Sequence, residues 1–326
     1  MTRAHPGTDE DVRLRIGVSS CLLGQEVRFD GGHKKDQFLV QELAKQVEWV
    51  PVCPELEVGM GVPREAVRLV KGDSGGPRMV GVRSGDDWTE RMHAYSEKRL
   101  KALERLELSG YVFKSKSPTC GIERVKVYGP NGMPEKNGRG LFAEAFMHRF
   151  PWLPIEDEGR LNDPLLRENF IEKVFAYHRW LIFTKDRFSV GKLVEFHARH
   201  KYLLLSHSDK HLRELGRIVA GAKGKPPEEV KHAYATAFFA AMDVKTSAKK
   251  HVNVLQHIVG FFKEKLDGGD RKEIVESIEE YRVGHVPRIV PTTLILHHLR
   301  RHEIPYMMDQ YYLSPHPKEL ILKYHA

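Results

Sequence analysis

Cysteine is scarce in this chain. There are three in 326 residues, at positions 21, 53 and 120, and no two form a C-x-x-C pair. An odd count argues against a secreted disulfide framework. Without a close pair, no metal site can be read from local spacing. Long apolar runs are missing too, since none approaches the ~18 residues that a membrane span needs. The first residues, MTRAHPGTDEDVR, are polar and lack the core of a signal peptide. The compartment expected from these absences is the reducing cytoplasm. Two chemical fingerprints are absent as well. No G-x-G-x-x-G opens a helix, and KGDSGGPR has no helical pattern after it, so dinucleotide binding is unsupported. No H-E-x-x-H occurs among the 18 histidines.

What is present fits a globular protein. Hydrophobic residues make up 41% and charged residues 29%. The length predicts two domains. The first part alternates strand and helix patterns. RIGVSS, VEWVPV, GYVFK and WLPIEDEG read as strands, and DQFLVQELAKQV, the charged stretch 86–108 and RGLFAEAFMHRF as helices. REAVRLV with PRMVGVR reads as a strand pair, and RVKVYGPNGMPEK as a hairpin-like excursion. The stretch from Pro54 to Pro63 is too rich in Pro and Gly for regular structure. This alternation predicts an α/β fold with a parallel sheet. A long helix starts near Asp163-Pro164, and from Ser189 onward the pattern is helical throughout. The expected organisation is residues 1–188 as an α/β domain and residues 189–326 as an all-α domain.

Each cysteine falls just past a predicted strand: SSCLLG, PVCPELEVGMGVPR and KSKSPTCG. Core cysteines sit inside apolar runs, whereas these sit on turn chemistry. In an open α/β sheet the C-terminal ends of the strands gather at one edge, where ligands bind. Cys21, Cys53 and Cys120 therefore have two readings. They are small buried hydrophobes, or they meet as ligands of a [4Fe–4S] cluster and leave its fourth iron open for a substrate. An electron-transfer cluster would have four cysteines.

SSCLLG, DGGHK, PVCPE with GMGVPRE, FKSKSPTCG and GRLNDPLLRENFIEKVF resemble the bacterial thiouracil desulfidase family, over roughly residues 14–185. One loop departs from the usual pattern: GMGVPRE stands where GG-x-PTPR is more common. The resemblance implies a Rossmann-like catalytic domain and a [4Fe–4S] cluster on Cys21, Cys53 and Cys120. It also implies catalytic roles for Glu55, of the CPE motif, and Ser117, of S-P-x-C. The residue types suit that chemistry. A thiocarbonyl sulfur is soft, iron acts as a Lewis acid, and a nearby carboxylate can activate water. Glu57 is an alternative base, and a loop salt bridge is the plain reading of either. Ser117 also reads as a turn-capping hydroxyl before Pro118. Lys114, Lys116, His33 and Lys34 are further candidates for the crevice, with solvated loops as the alternative.

The helical remainder is similar to the second domain of two-domain family members that remove sulfur from 4-thiouridine in tRNA. That similarity rests on KKHVNVLQHIVGFFK and VGHVPRIVPTTLILHHLRRH. From residue 191 on there are 22 Lys and Arg against 16 Asp and Glu. Lys245, Lys249 and Lys250 form one basic cluster and Arg300 with Arg301 another, and such side chains neutralise phosphates. The aromatics Phe238, Phe239, Phe261 and Phe262 read as core. The expected partner is tRNA and the expected activity conversion of 4-thiouridine to uridine. Desulfidation of free thiouracil, and a non-catalytic Fe–S sensor that binds nucleic acid, stand as alternatives. A base beside a ligand argues against the sensor.

Overall fold

The computed structural model describes residues 14–72 and 76–315. They divide into two compact units, the first ending at His178 and the second beginning at Arg179.

The first unit is built on a four-stranded parallel sheet. Its strands are β1 (Leu14–Ser19), β2 (Val47–Val52), β5 (Gly110–Phe113) and β8 (Ile155–Asp157), in the order β2-β1-β5-β8. β5 is buried at every position and β1 at all but Arg15, the burial of parallel strands covered on both faces. The order reverses at β1, with β2 on one side and β5 on the other. Such a reversal opens a crevice at the C-terminal ends of the strands. Gly17 makes the closest approach within the sheet. A Cβ there would lie 2.2 Å from Cδ2 of Tyr111, so only glycine lets this ring pack over β1. Tyr111 stacks on Phe113 at 4.0 Å between ring centres, and Phe146 closes the group at 4.7 Å from Tyr111.

The strand pairs expected at 64–83 and 124–136 do form. β3 (Val67–Lys71) pairs antiparallel with β4 (Pro77–Gly81), and β6 (Val125–Tyr128) with β7 (Pro134–Gly138). They are not separate excursions. A parallel pairing, Leu69↔Val127 and Val70↔Tyr128, joins them into a second sheet of order β4-β3-β6-β7. Nothing local in either hairpin announces a partner 58 residues away in that register. Two helical expectations also change. The 36–48 helix shrinks to irregular turns over Phe38–Glu42 and Leu43–Lys45. The stretch after Cys53, expected to be irregular, opens with a one-turn helix, α1 (Pro54–Glu57), because Pro suits the first helical position. Helices α2 (Thr89–Glu104) and α3 (Leu141–Arg149) lie where the periodicity placed them.

Helix α4 (Pro164–Lys185) follows. The second unit holds α5 (Val190–His207), α6 (Asp209–Ala220), α7 (Pro227–Asp243), α8 (Ala248–Val259), α9 (Gly268–Val283), α10 (Ile289–His302) and the single turn α11 (Pro305–Met308). The all-α expectation holds for its described residues. Ser189, Ser208, Ser247 and Asp267 cap α5, α6, α8 and α9, each side chain accepting a backbone N–H three residues on. The core is aromatic. Trp180 stacks on Tyr234 at 5.7 Å, and Phe196, Phe238 and Phe239 pack around them.

Candidate active site

The pairing Ser19↔Val52 sets β1 and β2 so that Cys53 and Cys21 emerge at the same sheet edge. Val18↔Val112 brings the end of β5 to that edge, and the Lys114 amide donates to Ser19 Oγ at 2.9 Å. All three cysteines line one cavity of about 330 Å³ there, together with Glu55, Arg64, Lys114, Lys116 and Ser117. Lys34 also lines it. His33 does not; its Nδ1 accepts the Lys35 amide at 3.2 Å.

The third cysteine is positioned from outside the sheet. Pro118 and Thr119 offer their carbonyls to the amides of Leu141, Phe142 and Ala143, satisfying the first N–H groups of α3. Gly140 makes this contact possible, because a Cβ there would lie 2.4 Å from the Thr119 backbone. The Ser117–Cys120 loop is thus docked on the start of α3. Lys116, at φ +59, is held in the left-handed region at the cavity wall, a conformation that costs energy for a non-glycine residue.

Glu55 is gripped at both oxygens. Arg64 donates to Oε2 from two nitrogens, at 2.5 and 3.2 Å, and Thr119 Oγ1 donates to Oε1 at 2.8 Å. A carboxylate offers about four lone-pair positions, so one on Oε1 is left for a further donor. The other acid considered, Glu57, faces elsewhere. It accepts the Cys53 amide at 3.0 Å and the Tyr95 hydroxyl at 2.8 Å, and pairs with Arg99. Ser117 Oγ accepts the amides of Thr119 and Cys120 at 3.2 and 3.1 Å, as a turn-capping hydroxyl does. Its own O–H points to no acceptor among these contacts and is polarised by the two donors. Lys114 is paired with Glu158, which also takes the Ser115 amide and hydroxyl, each at 2.8 Å.

Burial pushes the Cys21 thiol up to about 11, with the neighbouring Cys53 adding to it. Burial also raises Cys53, and raises Cys120 well above the usual thiol range, with Glu55 the next cause. Each of Cys21 and Cys120 senses another thiol of the set. Thiolates in such a pocket need a compensating cation, which metal coordination supplies. Among the described residues no three His, Cys, Asp or Glu side chains close on a single metal ion. The donor set fits a polynuclear centre, whose thiolates bind different irons.

Sequence reasoning missed Arg64, Thr119 and Glu158. Arg64 sits in the GMGVPRE loop, whose departure from the usual pattern was visible but whose grip on Glu55 was not. The five basic residues expected to meet RNA lie in the second unit. Lys245, Lys249, Arg300 and Arg301 are exposed. Lys250 is half-buried, and its ammonium donates to the carbonyls of His207 and Lys245, both at 2.7 Å.

Residues 16–158 match the family model of 2-thiouracil desulfurase, and residues 201–317 one described as a protein of unknown function, DUF1722. The chain is 25% identical to Escherichia coli (strain K12) YbgA over 153 residues, which is 47% of this chain and 90% of YbgA. It is 33% identical to Bacillus subtilis (strain 168) YbbK over 110 residues, which is 32% of this chain and 72% of YbbK. A solved structure, described as the [4Fe-4S]-dependent thiouracil desulfidase TudS, is 28% identical. It covers 46% of this chain and 94% of its own, at a TM-score of 0.37. Through the segment that carries Cys21, Cys53 and Cys120, the chain belongs to the 2-thiouracil desulfurase family.

Proposed function

We propose that this protein is a desulfidase that exchanges the thiocarbonyl sulfur of 4-thiouridine in tRNA for oxygen. The carrying observation is the convergence of three distant cysteines on one cavity beside the doubly gripped Glu55. The overall reaction consumes water and releases hydrogen sulfide, with no net oxidation or reduction.

Cys21, Cys53 and Cys120 would hold a [4Fe–4S] cluster, which supplies a Lewis-acidic iron for the substrate sulfur. Glu55, through its unused Oε1 position, orients a water and takes its proton as the oxygen attacks carbon. Arg64 and Thr119 fix the carboxylate so that its direction is set before substrate arrives. Ser117 donates its hydroxyl proton toward the leaving sulfur side, its oxygen steadied by the Thr119 and Cys120 amides. Lys34 and Lys116 put positive charge on the rim, which suits an anionic nucleic-acid substrate. The excess of basic residues from position 191 on favours tRNA over the free base.

Anaerobically prepared holoprotein, incubated with thiolated tRNA and separately with 2-thiouracil, tests the reading by nucleoside and base analysis. Loss of 4-thiouridine with matching uridine and sulfide supports it. Turnover of 2-thiouracil alone would reassign the substrate to a free base, and RNA binding without turnover of either would favour a sensor.

A further inference from the structure

The three-cysteine cavity has one aromatic wall. Of the described residues that line it, only Phe29 carries a ring, and Phe29 is 40% exposed. An apolar side chain exposed singly on a protein surface is ordinary. Phe29 differs in its place, because it lines the same cavity as Cys21, Cys53, Cys120 and Glu55.

The sequence Arg28-Phe29-Asp30-Gly31-Gly32 builds the turn that presents this residue. The Gly31 amide donates to the Arg28 carbonyl at 3.0 Å and the Arg28 amide to the Gly32 carbonyl at 3.2 Å. Asp30 Oδ1 accepts the Gly32 amide at 3.1 Å. Gly31 sits at φ +74, which glycine adopts without steric cost. The turn is tied to the cavity walls. The Phe29 carbonyl accepts the Arg64 amide at 2.9 Å, and the Val27 carbonyl accepts Arg64 Nη1 at 3.1 Å. A few residues on, the Lys34 amide donates to the Cys21 carbonyl at 2.9 Å. The Arg28 guanidinium lies over the Phe29 ring, 5.3 Å from its centre, and pairs with Asp30 at 3.3 Å. The residue that grips Glu55 therefore also anchors the Phe29 backbone. A side chain on so constrained a turn loses little freedom on binding.

At about 330 Å³ the cavity is at the small end of ligand sites, the size for a single base. A thiolated pyrimidine is a flat ring with polar edges. Its C=S edge belongs at the thiols and the carboxylate. Its π face needs a wall of its own, and bases take aromatic side chains for that purpose. Phe29 is the ring the cavity offers.

We propose that Phe29 stacks on the thiolated pyrimidine and sets the plane of its ring in the cavity. The proposal rests on the desulfidase reading for its ligand, and the chemistry is shared by a base in tRNA and a free base. Calorimetric titration reads it in holoprotein carrying Glu55→Gln, which slows turnover. The ligands are thiolated tRNA, 2-thiouracil and 5,6-dihydro-2-thiouracil, whose puckered ring stacks poorly. Adding Phe29→Ala should weaken binding of the two planar ligands roughly tenfold. Phe29→Leu should weaken it too, since it keeps apolar bulk and loses the π face. Phe29→Tyr should bind as the parent does, and the dihydro ligand should respond little to any of the three. Iron content and thermal melting check that cluster and fold persist. Should Phe29→Ala lose iron, the Leu and Tyr variants carry the comparison.

Parent-like affinity in both Phe29→Ala and Phe29→Leu overturns the proposal, as does an equal loss on planar and dihydro ligands. A loss confined to tRNA, or to 2-thiouracil, supports stacking and names the source of the ring. If the protein with Glu55 intact turns over either ligand while the Phe29 variants bind normally, stacking falls and the desulfidase reading stands. If it turns over neither while binding follows the predicted order, stacking stands and that reading falls.

Discussion

Arg64 donates to Glu55 Oε2 from two nitrogens, and the two side chains are only 6% and 15% exposed. The pair forms one wall of the three-cysteine cavity. Arg64 is also tied to the backbone, donating to the carbonyls of Val27 and Gly61 at 3.1 and 2.9 Å. It thus joins the Glu55 turn to the loops on both sides.

Glu55→Gln keeps the shape and removes the base. Turnover should fall roughly 10²–10⁴-fold with iron content and substrate affinity retained, the range seen for a lost general base. Arg64→Gln should lower kcat by about 10²-fold through misplacement of the carboxylate, with KM moving less. It should also cost on the order of 3 kcal/mol of stability, because a buried partner is left uncompensated. Steady-state kinetics and denaturant titration read the two effects separately.

Gly140 does not line the cavity itself but packs against the backbone of Thr119 and of the cavity residue Cys120. Gly140→Ala should push the Ser117–Cys120 loop off α3 and lower bound iron while leaving the helical content of the second unit intact. Iron analysis with far-ultraviolet circular dichroism checks this. Full iron loading in that variant would mean that the loop tolerates the shift.

Lys249 and Lys250 are neighbours with different surroundings. Lys249 is exposed, whereas Lys250 bridges the end of α5 and the loop before α8. Lys249→Glu should weaken tRNA binding to thiolated and unthiolated tRNA alike and flatten its salt dependence, with stability unchanged. Lys250→Glu should in addition destabilise the fold by about 2 kcal/mol, since charge-assisted hydrogen bonds to two carbonyls are lost. Salt-dependent binding and thermal melts distinguish the two.

His200 is fully buried, its Nδ1 2.7 Å from the Phe196 carbonyl. Burial holds its pKa well below the ordinary 6.5, with Arg179 and Arg199 adding repulsion, and burial also lowers the nearby His197. A depressed histidine means that the folded state binds fewer protons than the unfolded one. Its stabilising effect is present above pH 6.5 and is lost as pH falls below that value, by up to about 1.4 kcal/mol per pH unit for one proton. Melting temperature should therefore drop between pH 7 and 5, and His200→Gln should flatten part of that slope. A profile unchanged in the variant would assign the acid sensitivity elsewhere.

The parallel sheet was readable because β1 and β5 carry near-continuous apolar runs, and parallel strands are covered on both faces. The edge where the cysteines meet was readable because Cys21 and Cys53 follow strands almost directly and Cys120 follows one across a short turn. The second sheet was not, since the β3–β6 pairing joins two hairpins whose own patterns are locally complete. Lys250 looked like one more surface cation because sequence does not reveal which carbonyls lie within reach of an ammonium. The Arg64 grip on Glu55 depends on a loop without periodic signal. Phe261 was misread as core because Phe-Phe in a helical stretch says only that one ring is buried.

The central claim is that Cys21, Cys53 and Cys120 together hold one [4Fe–4S] cluster that the desulfidation requires. The most direct measurement is iron and acid-labile sulfide per chain in anaerobically reconstituted protein, with substrate turnover, for the parent and for Cys21→Ala, Cys53→Ala and Cys120→Ala. The account predicts close to four irons and four sulfides in the parent, a three-cysteine cluster with one open iron. It predicts loss of most of the iron and of activity in every variant. Full turnover by a colourless, iron-free parent, or an intact cluster in any one of the alanine variants, would contradict it.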